Sequence, residues 1–372
     1  MKNKSLMLFS VLAVLLLVAS GCSNSPTGGA VSGKEVVKVG VLAALTGDVA
    51  TIGESSTRAI ELAAEEFNAK DTEMEIKLVI EDTKCDGAVS ATAANKLVNV
   101  DKVEVILGAL CSGATIPAIP IAENNKVVMF SPCSSAPSIS EMGDYMFRNY
   151  PSDSYQTVEA ADYIYNTLGK RKAAVIYSNT DWGFGLQEAF EEAFTKLGGE
   201  IVAIESAERE SQDLRSQLTK VKAKSPDVLF TALYSQNQGL VMKQGKELGI
   251  NIPVIGCDAA IDPNTVAVAG DAAEGLMAVA LTKTESPAFE AKLKERKGVN
   301  VELCTPTAYD AAHMVFAAIK RAGNDGDKVK DLLYRMSFKG LTGTTKFDSN
   351  GDRIGADYST YKVVNGEFVI IE

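Results

Sequence analysis

Residues 103–130 read VEVILGALCSGATIPAIPIAENNKVVMF, so that two short apolar runs flank a segment of helical length. The pattern predicts a strand over Val103–Gly108, a helix over Ala114–Asn124 and a second strand over Val127–Phe130. Strands that alternate with helices favour a parallel sheet with helices packed on its faces. This unit therefore indicates an α/β fold.

The same alternation continues on both sides of the unit. Upstream we predict strands over Val36–Ala44 and Ile76–Glu81 and helices over Ser55–Lys70 and Ala88–Asn99. The series stops at residues 149–152 and then resumes through eight further predicted elements: Tyr155–Leu168, Ala173–Ser178, Phe184–Leu197, Glu200–Ile204, Leu214–Lys222, Val228–Ala232, Gln238–Leu248 and Val254–Gly256. The last part of the chain adds a strand, three helices and a short β ending: Gly275–Ala280, Ala288–Lys297, Pro306–Ala322, Lys328–Met336 and Tyr361–Ile371.

Two such series predict two doubly wound parallel-sheet lobes. We expect one lobe to comprise residues 35–152 and 284–350, and the other residues 153–283 and 351–372, with three hinge crossings near residues 150–153, 281–286 and 345–358. A weak internal repeat supports this division, because VILGALCS, which ends at Ser112, aligns with VLFTALYS, which ends at Ser235. Each is followed by a polar loop, 21 or 22 positions further on.

The first residues have the pattern of an export signal. Lys2 and Lys4 precede an apolar run, Leu6–Ala19, which is too short to span a bilayer comfortably. A basic start, a short apolar core and small residues are typical of a cleaved signal, which we predict over residues 1–21. The sequence Ala-Ser-Gly-Cys that ends at Cys22 resembles a bacterial lipobox, so we expect Cys22 to carry a lipid and residues 22–34 to form a flexible tether.

Charge restricts the classes of partner. The formal net charge is −11, and without the signal 35 basic residues face 48 acidic ones, which gives 35 − 48 = −13. Such a surface repels phosphate backbones and anionic headgroups. We therefore expect no nucleic-acid partner and membrane contact through the lipid alone. From the export signal we expect a location outside the cytoplasmic membrane. We also expect a monomer.

Cysteine and histidine usage argues against metal and catalytic sites. The chain has six cysteines, with neither a Cys-x-x-Cys motif nor a Cys/His spacing for zinc, and one histidine, His313, which falls within a predicted helix. The nucleotide-binding glycine motifs are absent as well. We expect no metal, no cofactor and no enzyme activity; a hydrolase with Cys133 or Ser112 as nucleophile lacks a base in any predicted loop.

Small and polar residues collect where predicted strands end. In open parallel sheets, ligands bind outside the carboxyl ends of the strands, where loops lead into helices. Hydroxyls and backbone N–H groups there suit a carboxylate, and a lone acid across the cleft suits an ammonium group. The segments concerned are residues 43–48, 110–113, 131–135, 179–183, 234–236 and 257–258.

Six motifs follow one another from about Lys34 to the C-terminus: VVKVGVL with LTGD48, EDTKCD86, GALCS112, SPCSS135, DWGFG185 and GDAAEG275. Together they resemble the leucine/isoleucine/valine-binding proteins of ABC importers. The resemblance implies the type I periplasmic binding protein fold, and a clamp that binds a small, most often branched-chain or aliphatic, amino acid and delivers it to permease subunits.

The resemblance also implies a set of ligand-binding residues. The family's carboxylate-binding serine falls on Ser112, and its next loop falls on Cys133, Ser134 and Ser135, with the backbone at Cys133 and the hydroxyl of Ser135 meeting the ligand. The acid that holds the α-amino group falls on Asp258, where the nearest relatives have Glu. Three further positions complete the expected pocket, two aromatic walls and an isoleucine where Tyr is common: Trp182, Tyr234 and Ile52.

The same resemblance pairs Cys85 with Cys111, which would stiffen the loop that carries Ser112. A second bridge between Cys257 and Cys304 is a further hypothesis, and it would leave Cys133 as a thiol facing the ligand.

Plainer interpretations stay open for each site residue. Ser112 and Ser135 also suit helix N-caps, Asp258 a turn, and the two aromatic residues simple packing. The clamp itself is also compatible with an aliphatic amide, urea or an aromatic acid as ligand, or with a role as a ligand sensor.

Overall fold

The computed structural model describes residues 34–47, 49–283 and 286–371. The predicted signal, the lipidation site Cys22 and the tether up to residue 33 lie outside the described residues. Within the described ranges, no helix is both long enough and apolar enough to cross a membrane.

The first sheet has five strands, all paired in parallel, in the order β2-β1-β3-β4-β5. Its central strands are short and entirely buried, as expected for a sheet that is covered on both faces. The strands are β1 Glu35–Ala43, β2 Met74–Asp82, β3 Val105–Gly108, β4 Val128–Ser131 and β5 Met146–Arg148.

Helices cover both faces of this sheet. One apolar core lies between the strands and α1, α10 and α11, and another lies between the strands and α2 and α3. The helices are α1 Ala50–Lys70, α2 Gly87–Lys96, α3 Ser112–Asn124, α9 Pro287–Lys297, α10 Thr305–Ala322 and α11 Gly326–Tyr334, with a π-helical turn, Leu97–Asp101, after α2 and a 3-10 turn, Pro137–Glu141, before β5.

The second sheet has seven strands in the order β15-β14-β10-β9-β8-β6-β7. The pairs β10–β14 and β14–β15 are antiparallel and the others are parallel. The strands are β6 Lys172–Ser178, β7 Glu200–Ala207, β8 Val228–Ala232, β9 Val254–Gly256, β10 Met277–Leu281, β14 Tyr358–Val364 and β15 Glu367–Ile370.

This sheet also has an apolar core on each face. One core includes α4 and α5, and the other includes α6 and α7. The helices are α4 Asp153–Asp162, α5 Asp181–Lys196, α6 Arg215–Ala223, α7 Ser235–Glu247 and α8 Pro263–Ala269, with a π-helical turn, Tyr163–Thr167, after α4 and 3-10 turns at Asp258–Ala260 and Gly270–Ala272. The predicted fold class, two doubly wound α/β lobes, is confirmed.

The chain passes between the sheets three times. It leaves the first sheet after β5, returns to it after β10, and leaves it again after a small antiparallel sheet that precedes β14. The small sheet consists of β11 Phe338–Gly340, β12 Gly343–Phe347 and β13 Arg353–Ile354.

Several element boundaries differ from those predicted. Helix α1 begins at Ala50 rather than Ser55. Its N-cap residue, Val49, makes no side-chain capping bond, so no capping residue marks this start in the sequence. Gly53 allows this turn to approach β1, since a Cβ there would lie 1.9 Å from the Ala44 carbonyl oxygen. The early start of α1 brings Thr51 and Ile52 to the ends of the strands.

Candidate functional site

A cavity of about 640 Å³ lies at the carboxyl ends of both main sheets. Its walls come from the loops after β1, β3, β4, β8 and β9, from the start of α5 and from the segment before α10. Seven of the eight predicted ligand residues line it: Ile52, Ser112, Cys133, Ser135, Trp182, Tyr234 and Asp258. Their roles in binding remain predictions.

Ser112 is the first residue of α3, directly beyond β3. Its Oγ accepts hydrogen bonds from the backbone N–H groups of Ser135, at 3.2 Å, and Ala136, at 3.1 Å. The N-cap of α3 is Cys111, so the interpretation of Ser112 as an N-cap is wrong. Because the oxygen already accepts two bonds, the hydroxyl hydrogen can be donated to a ligand.

The loop after β4 is held by its own hydroxyls. Ser131 Oγ accepts the Ser134 N–H at 2.9 Å and donates to the Ala109 carbonyl at 2.7 Å. Ser134 shares a 2.7 Å hydrogen bond with Thr115 and lies behind the cavity wall rather than in it. Ser135 does line the cavity, and since Ala136 is the N-cap of the following 3-10 turn, the capping interpretation of Ser135 is wrong too.

Two disulfides fix the loops that carry these hydroxyls. Cys85 is bonded to Cys111, as predicted. The second bond joins Cys133 to Cys304, with Cα atoms 5.5 Å apart, so the predicted pairing of Cys257 with Cys304 is wrong. Cys133 is consequently neither a free thiol facing the ligand nor available as a nucleophile.

Cys257 is the cysteine left as a thiol among the described residues. It follows β9, and its side chain is buried in the core between the second sheet and α5. Cys304, in contrast, immediately precedes α10, which packs on the first sheet. The two residues thus belong to different cores, which explains why they do not pair. Burial raises the pKa of the Cys257 thiol well above its ordinary value.

Trp182 and Tyr234 form an aromatic wall. Their ring centroids are 4.6 Å apart and the rings are inclined by 39°. Thr180 caps α5 by accepting the Gly183 N–H at 3.1 Å, and Gly183 allows the helix start to lie against the end of β6, since a Cβ there would be 2.2 Å from the Ser178 carbonyl oxygen. Trp182, 5% exposed, both packs in the core and lines the cavity.

Arg209 is a cavity residue that the sequence analysis missed. Its guanidinium lies 4.3 Å from the centroid of the Tyr234 ring, and it lines the cavity together with Gln236 and Asn264. It comes from an irregular segment between β7 and α6, where no strand-end pattern marks it.

Three acids line the cavity, and Asp258 is the buried one, while Asp262 and Glu302 are half-buried. Asp258 is 4% exposed; its Oδ1 accepts the Ala259 N–H at 2.8 Å, and its Oδ2 accepts the Tyr150 hydroxyl at 2.5 Å. It also starts a 3-10 turn, so the plain interpretation as a turn residue describes its backbone correctly. Burial raises its pKa, and the hydrogen bond from Tyr150 is the strongest opposing influence.

A second buried acid, Asp153, lies in the first turn of α4. It is 2% exposed, and its Oδ2 has no hydrogen-bond partner. Burial and then the charge of Asp258 raise the pKa of Asp153 well above its ordinary value, against opposing interactions with Ser135, Arg148 and Trp182. Two buried carboxyls that repel each other are stabilised when a cation comes between them. The sequence analysis missed Asp153 because it follows Ser152 as an ordinary helix start.

The remaining walls are mostly apolar. Ile52 lies on the inner side of α1, and it is accompanied by other aliphatic side chains in the lining: Val49, Leu110, Ile261 and Leu303. A second cavity, of about 840 Å³, adjoins the first and shares Ile261, Pro263, Glu302 and Leu303 with it. The cavity therefore combines hydroxyl groups, the carboxyl groups of Asp258, Asp262 and Glu302, and an aliphatic surface.

The histidine lies away from the cavity. His313 lies on α10 against Tyr309, with ring centroids 4.4 Å apart, and 3.8 Å from a Glu66 oxygen. Neither His313 nor Glu66 lines the cavity. Among the described residues no group of His, Cys, Asp and Glu is arranged to hold a metal ion.

Comparison with known proteins finds chains of similar sequence and fold. The leucine-, isoleucine-, valine-, threonine- and alanine-binding protein of Pseudomonas aeruginosa is 27% identical over 340 residues, which cover 88% of this chain and 90% of that protein. The branched-chain amino acid transporter substrate-binding protein LivJ of Streptococcus pneumoniae, solved in complex with isoleucine, is 27% identical with a TM-score of 0.79, and the match covers 91% of this chain and 100% of that one.

A third similar protein binds a different ligand. The solute-binding protein of an ABC transporter from Rhodopseudomonas palustris BisB5, solved in complex with 3,4-dihydroxybenzoic acid, is 26% identical with a TM-score of 0.80, and the match covers 90% of this chain and 96% of that one. The periplasmic binding protein family model matches residues 36–367. Since that match takes in both sheets and every loop of the cavity, the chain belongs to the periplasmic binding protein family.

Proposed function

We propose that this chain is the extracytoplasmic solute-binding protein of an ABC importer, and that it binds a small aliphatic amino acid in the cavity between the two sheets and delivers it to the permease. The observation that carries the proposal is the buried acid Asp258 in the lining of a cavity that also offers hydroxyl donors, with a second buried acid, Asp153, close behind it. A ligand with one ammonium and one carboxylate group matches both features.

The carboxylate end of the ligand is assigned to the first sheet. Ser112 donates its hydroxyl hydrogen, and Ser135 adds a second hydroxyl from the loop that also brings the backbone at Cys133 to the cavity. A carboxylate that accepts several such bonds needs no basic side chain. Ser134 supports this loop from behind through its bond to Thr115.

The ammonium end is assigned to Asp258, with Asp153 adding negative charge next to it. Trp182 and Tyr234 cover the ligand with aromatic faces, which also attract a cation. The aliphatic side chain then lies against Ile52 and its apolar neighbours. A lobe arrangement of residues 35–152 with 284–350, and 153–283 with 351–372, lets the cleft close on the ligand by hinge motion, for which periplasmic binding proteins are a standard example.

The remaining features of the proposal follow from the ends of the sequence and from the class of protein. A lipid on Cys22 anchors the mature protein outside the cytoplasmic membrane, and the tether lets the clamp reach the permease as a monomer. The chain binds and releases its ligand unchanged, with no enzyme activity and no cofactor.

Calorimetric titration of residues 34–372 tests the proposal. The ligands are leucine, isoleucine, valine and alanine, compared with 4-methylpentanoate, which lacks the amine, and with urea, an aliphatic amide and 3,4-dihydroxybenzoate. We expect the amino acids to bind and the Asp258→Asn variant to lose them, while Asp271→Asn, an exposed acid on the same lobe, retains them. Binding of dihydroxybenzoate alone would mean that the ligand is an aromatic acid. Binding of no amino acid would refute the assignment of an aliphatic amino acid as ligand.

A further inference from the structure

Tyr150 connects the first crossing segment to Asp258, the buried acid in the cavity lining. It lies between β5 and α4, is 4% exposed, and its hydroxyl is 2.5 Å from Asp258 Oδ2. Asp258 follows β9 in the second sheet. One hydrogen bond thus ties a hinge segment to the group that is proposed to receive the ligand's ammonium.

The two hydrogen bonds on Asp258 fix the direction of its carboxylate. The Ala259 N–H holds Oδ1, and the Tyr150 hydroxyl holds Oδ2. Asp has a shorter side chain than Glu, so the place that it offers to an ammonium group depends closely on how the carboxylate is oriented. Of the two donors, the Tyr150 hydroxyl is the one that a substitution can remove without altering the backbone.

The surroundings of Asp258 oppose its charge. Burial raises its pKa, the carboxyl of Asp153 lies close enough to repel it, and the Tyr150 hydrogen bond is the largest opposing influence. The other titratable and charged groups around this cluster come from the loop after β9 and from β14, β5 and β13: Cys257, Tyr358, Arg148 and Arg353. Removal of the phenol hydroxyl leaves a buried carboxyl with one donor fewer, which favours its neutral form.

We propose that Tyr150 is a positioning residue of the binding site, whose hydroxyl orients the Asp258 carboxylate and keeps it ionised, and that it thereby sets the selectivity for ligands that carry an ammonium group. This inference rests on the proposed function. Tyr150 acts through Asp258: its ring lines the second, adjoining cavity and is absent from the lining of the first.

The test compares wild type with Tyr150→Phe by calorimetric titration of leucine and of 4-methylpentanoate from pH 5 to pH 8. We expect the variant to bind leucine about tenfold more weakly at pH 7, in line with the loss of a hydrogen bond to a charged group. The decline of leucine affinity at acidic pH should begin at a higher pH in the variant, and binding of 4-methylpentanoate should change less than threefold. Tyr155→Phe, at an exposed tyrosine of α4, is the matched control.

The outcomes separate this inference from the proposed function. Unchanged leucine affinity and an unchanged pH profile in Tyr150→Phe, with leucine bound by wild type, would refute the role of Tyr150 alone. Equal weakening of both ligands would also refute it, because that result indicates a structural role without selectivity. Wild-type protein that binds no amino acid would refute both. Thermal melting of the variant at pH 7 checks that it is folded at the temperature of the titration.

Discussion

Arg148 and Asp352 form a two-pronged ion pair in which Arg148 Nε lies 2.5 Å from Oδ1 and Nη2 lies 2.9 Å from Oδ2. The side chain of Arg148 is completely buried. Arg148 ends β5, just before the first crossing, and Asp352 immediately precedes β13, just before the third. Arg148 also donates to the Ala136 carbonyl at 2.8 Å, directly behind the binding loop. The pair therefore joins two crossings to the ligand-facing loop.

Asp352→Asn should destabilise the protein strongly. Removal of one partner from a buried ion pair leaves an uncompensated charge and costs about 3 to 5 kcal/mol. We expect a loss of this size in the free energy of unfolding, measured by urea denaturation at pH 7. Asp331→Asn, at an exposed acid of α11, should change it by less than about 0.5 kcal/mol. A loss below 1 kcal/mol for Asp352→Asn would contradict the importance assigned to this pair.

The periodic parts of the fold could be predicted from the sequence. Buried strands such as Val105–Gly108 are continuous apolar runs, and the polar loops after them mark the carboxyl edge of the sheet. Ser112, Asp258 and their neighbours therefore meet in one cavity. The short strands β5 and β11 were not predicted, because three residues carry too little pattern, and β12, of five residues, was missed with its partner β11.

Long-range partners could not be predicted. Cys133 and Cys304 are 171 positions apart, and their pairing depends on where α10 returns to the first sheet. Tyr150 and Asp153 lie in a segment that reads as an interruption between two series, yet the crossing directs both side chains towards Asp258. Such contacts arise from the three passages between the sheets, and nothing in the local sequence specifies them.

Thiol counting tests the disulfides. Residues 34–372 contain five cysteines, four of them in disulfides, which leaves Cys257. We expect one reactive thiol per chain in guanidinium without reductant, and five after reduction. Cys257 is fully buried, so it should react only very slowly in the native protein. Three thiols before reduction would show that one bridge is missing, and five would contradict both.

Loss of the second bridge should weaken both the fold and the site. In the chain-entropy model, a disulfide that closes a long loop stabilises by about 3 to 5 kcal/mol. Cys133→Ser combined with Cys304→Ser should lower the melting temperature and also weaken leucine binding, because Cys133 is two residues from Ser135. In this double variant, a reductant can break only the Cys85–Cys111 bond, so any further fall in melting temperature on reduction measures that bond. Equal leucine affinity with and without the bridge would show that the loop does not depend on it.

Trp182 is the one tryptophan in the chain, and it lines the cavity beside Tyr234. Intrinsic tryptophan fluorescence should therefore report ligand binding directly, through a change in intensity or in emission wavelength. We expect a saturable change with leucine in wild type and none in Asp258→Asn at the same concentrations. A calorimetric signal without any fluorescence change would place the ligand away from this wall.

The pH dependence of stability should show that ionised Asp153 destabilises the ligand-free protein. Its pKa is raised by burial and by Asp258. Some carboxyls have a higher pKa in the folded protein than their ordinary value of about 3.9. Such a group contributes most to the free energy of unfolding below that ordinary value, and this contribution is lost as the pH rises through the folded pKa. Asp153→Asn removes this pH-dependent loss of stability, so the ligand-free variant should melt at a higher temperature than wild type at pH 8.

The advantage of Asp153→Asn should shrink towards pH 4, where the wild-type carboxyl is protonated as well. Each unit by which the folded pKa exceeds the ordinary one corresponds to about 1.4 kcal/mol at high pH. Melting curves recorded by circular dichroism at pH 4, 6 and 8 measure the difference, with Asp162→Asn, an exposed acid on the same helix, as the control. Leucine should raise the melting temperature of wild type more than that of the variant, because its ammonium relieves the repulsion that the substitution has already removed. A variant that melts below wild type at pH 8 would mean that Asp153 is ionised and stabilised by Arg148 without a ligand. A difference that is the same at every pH would mean that it does not arise from the titration of Asp153.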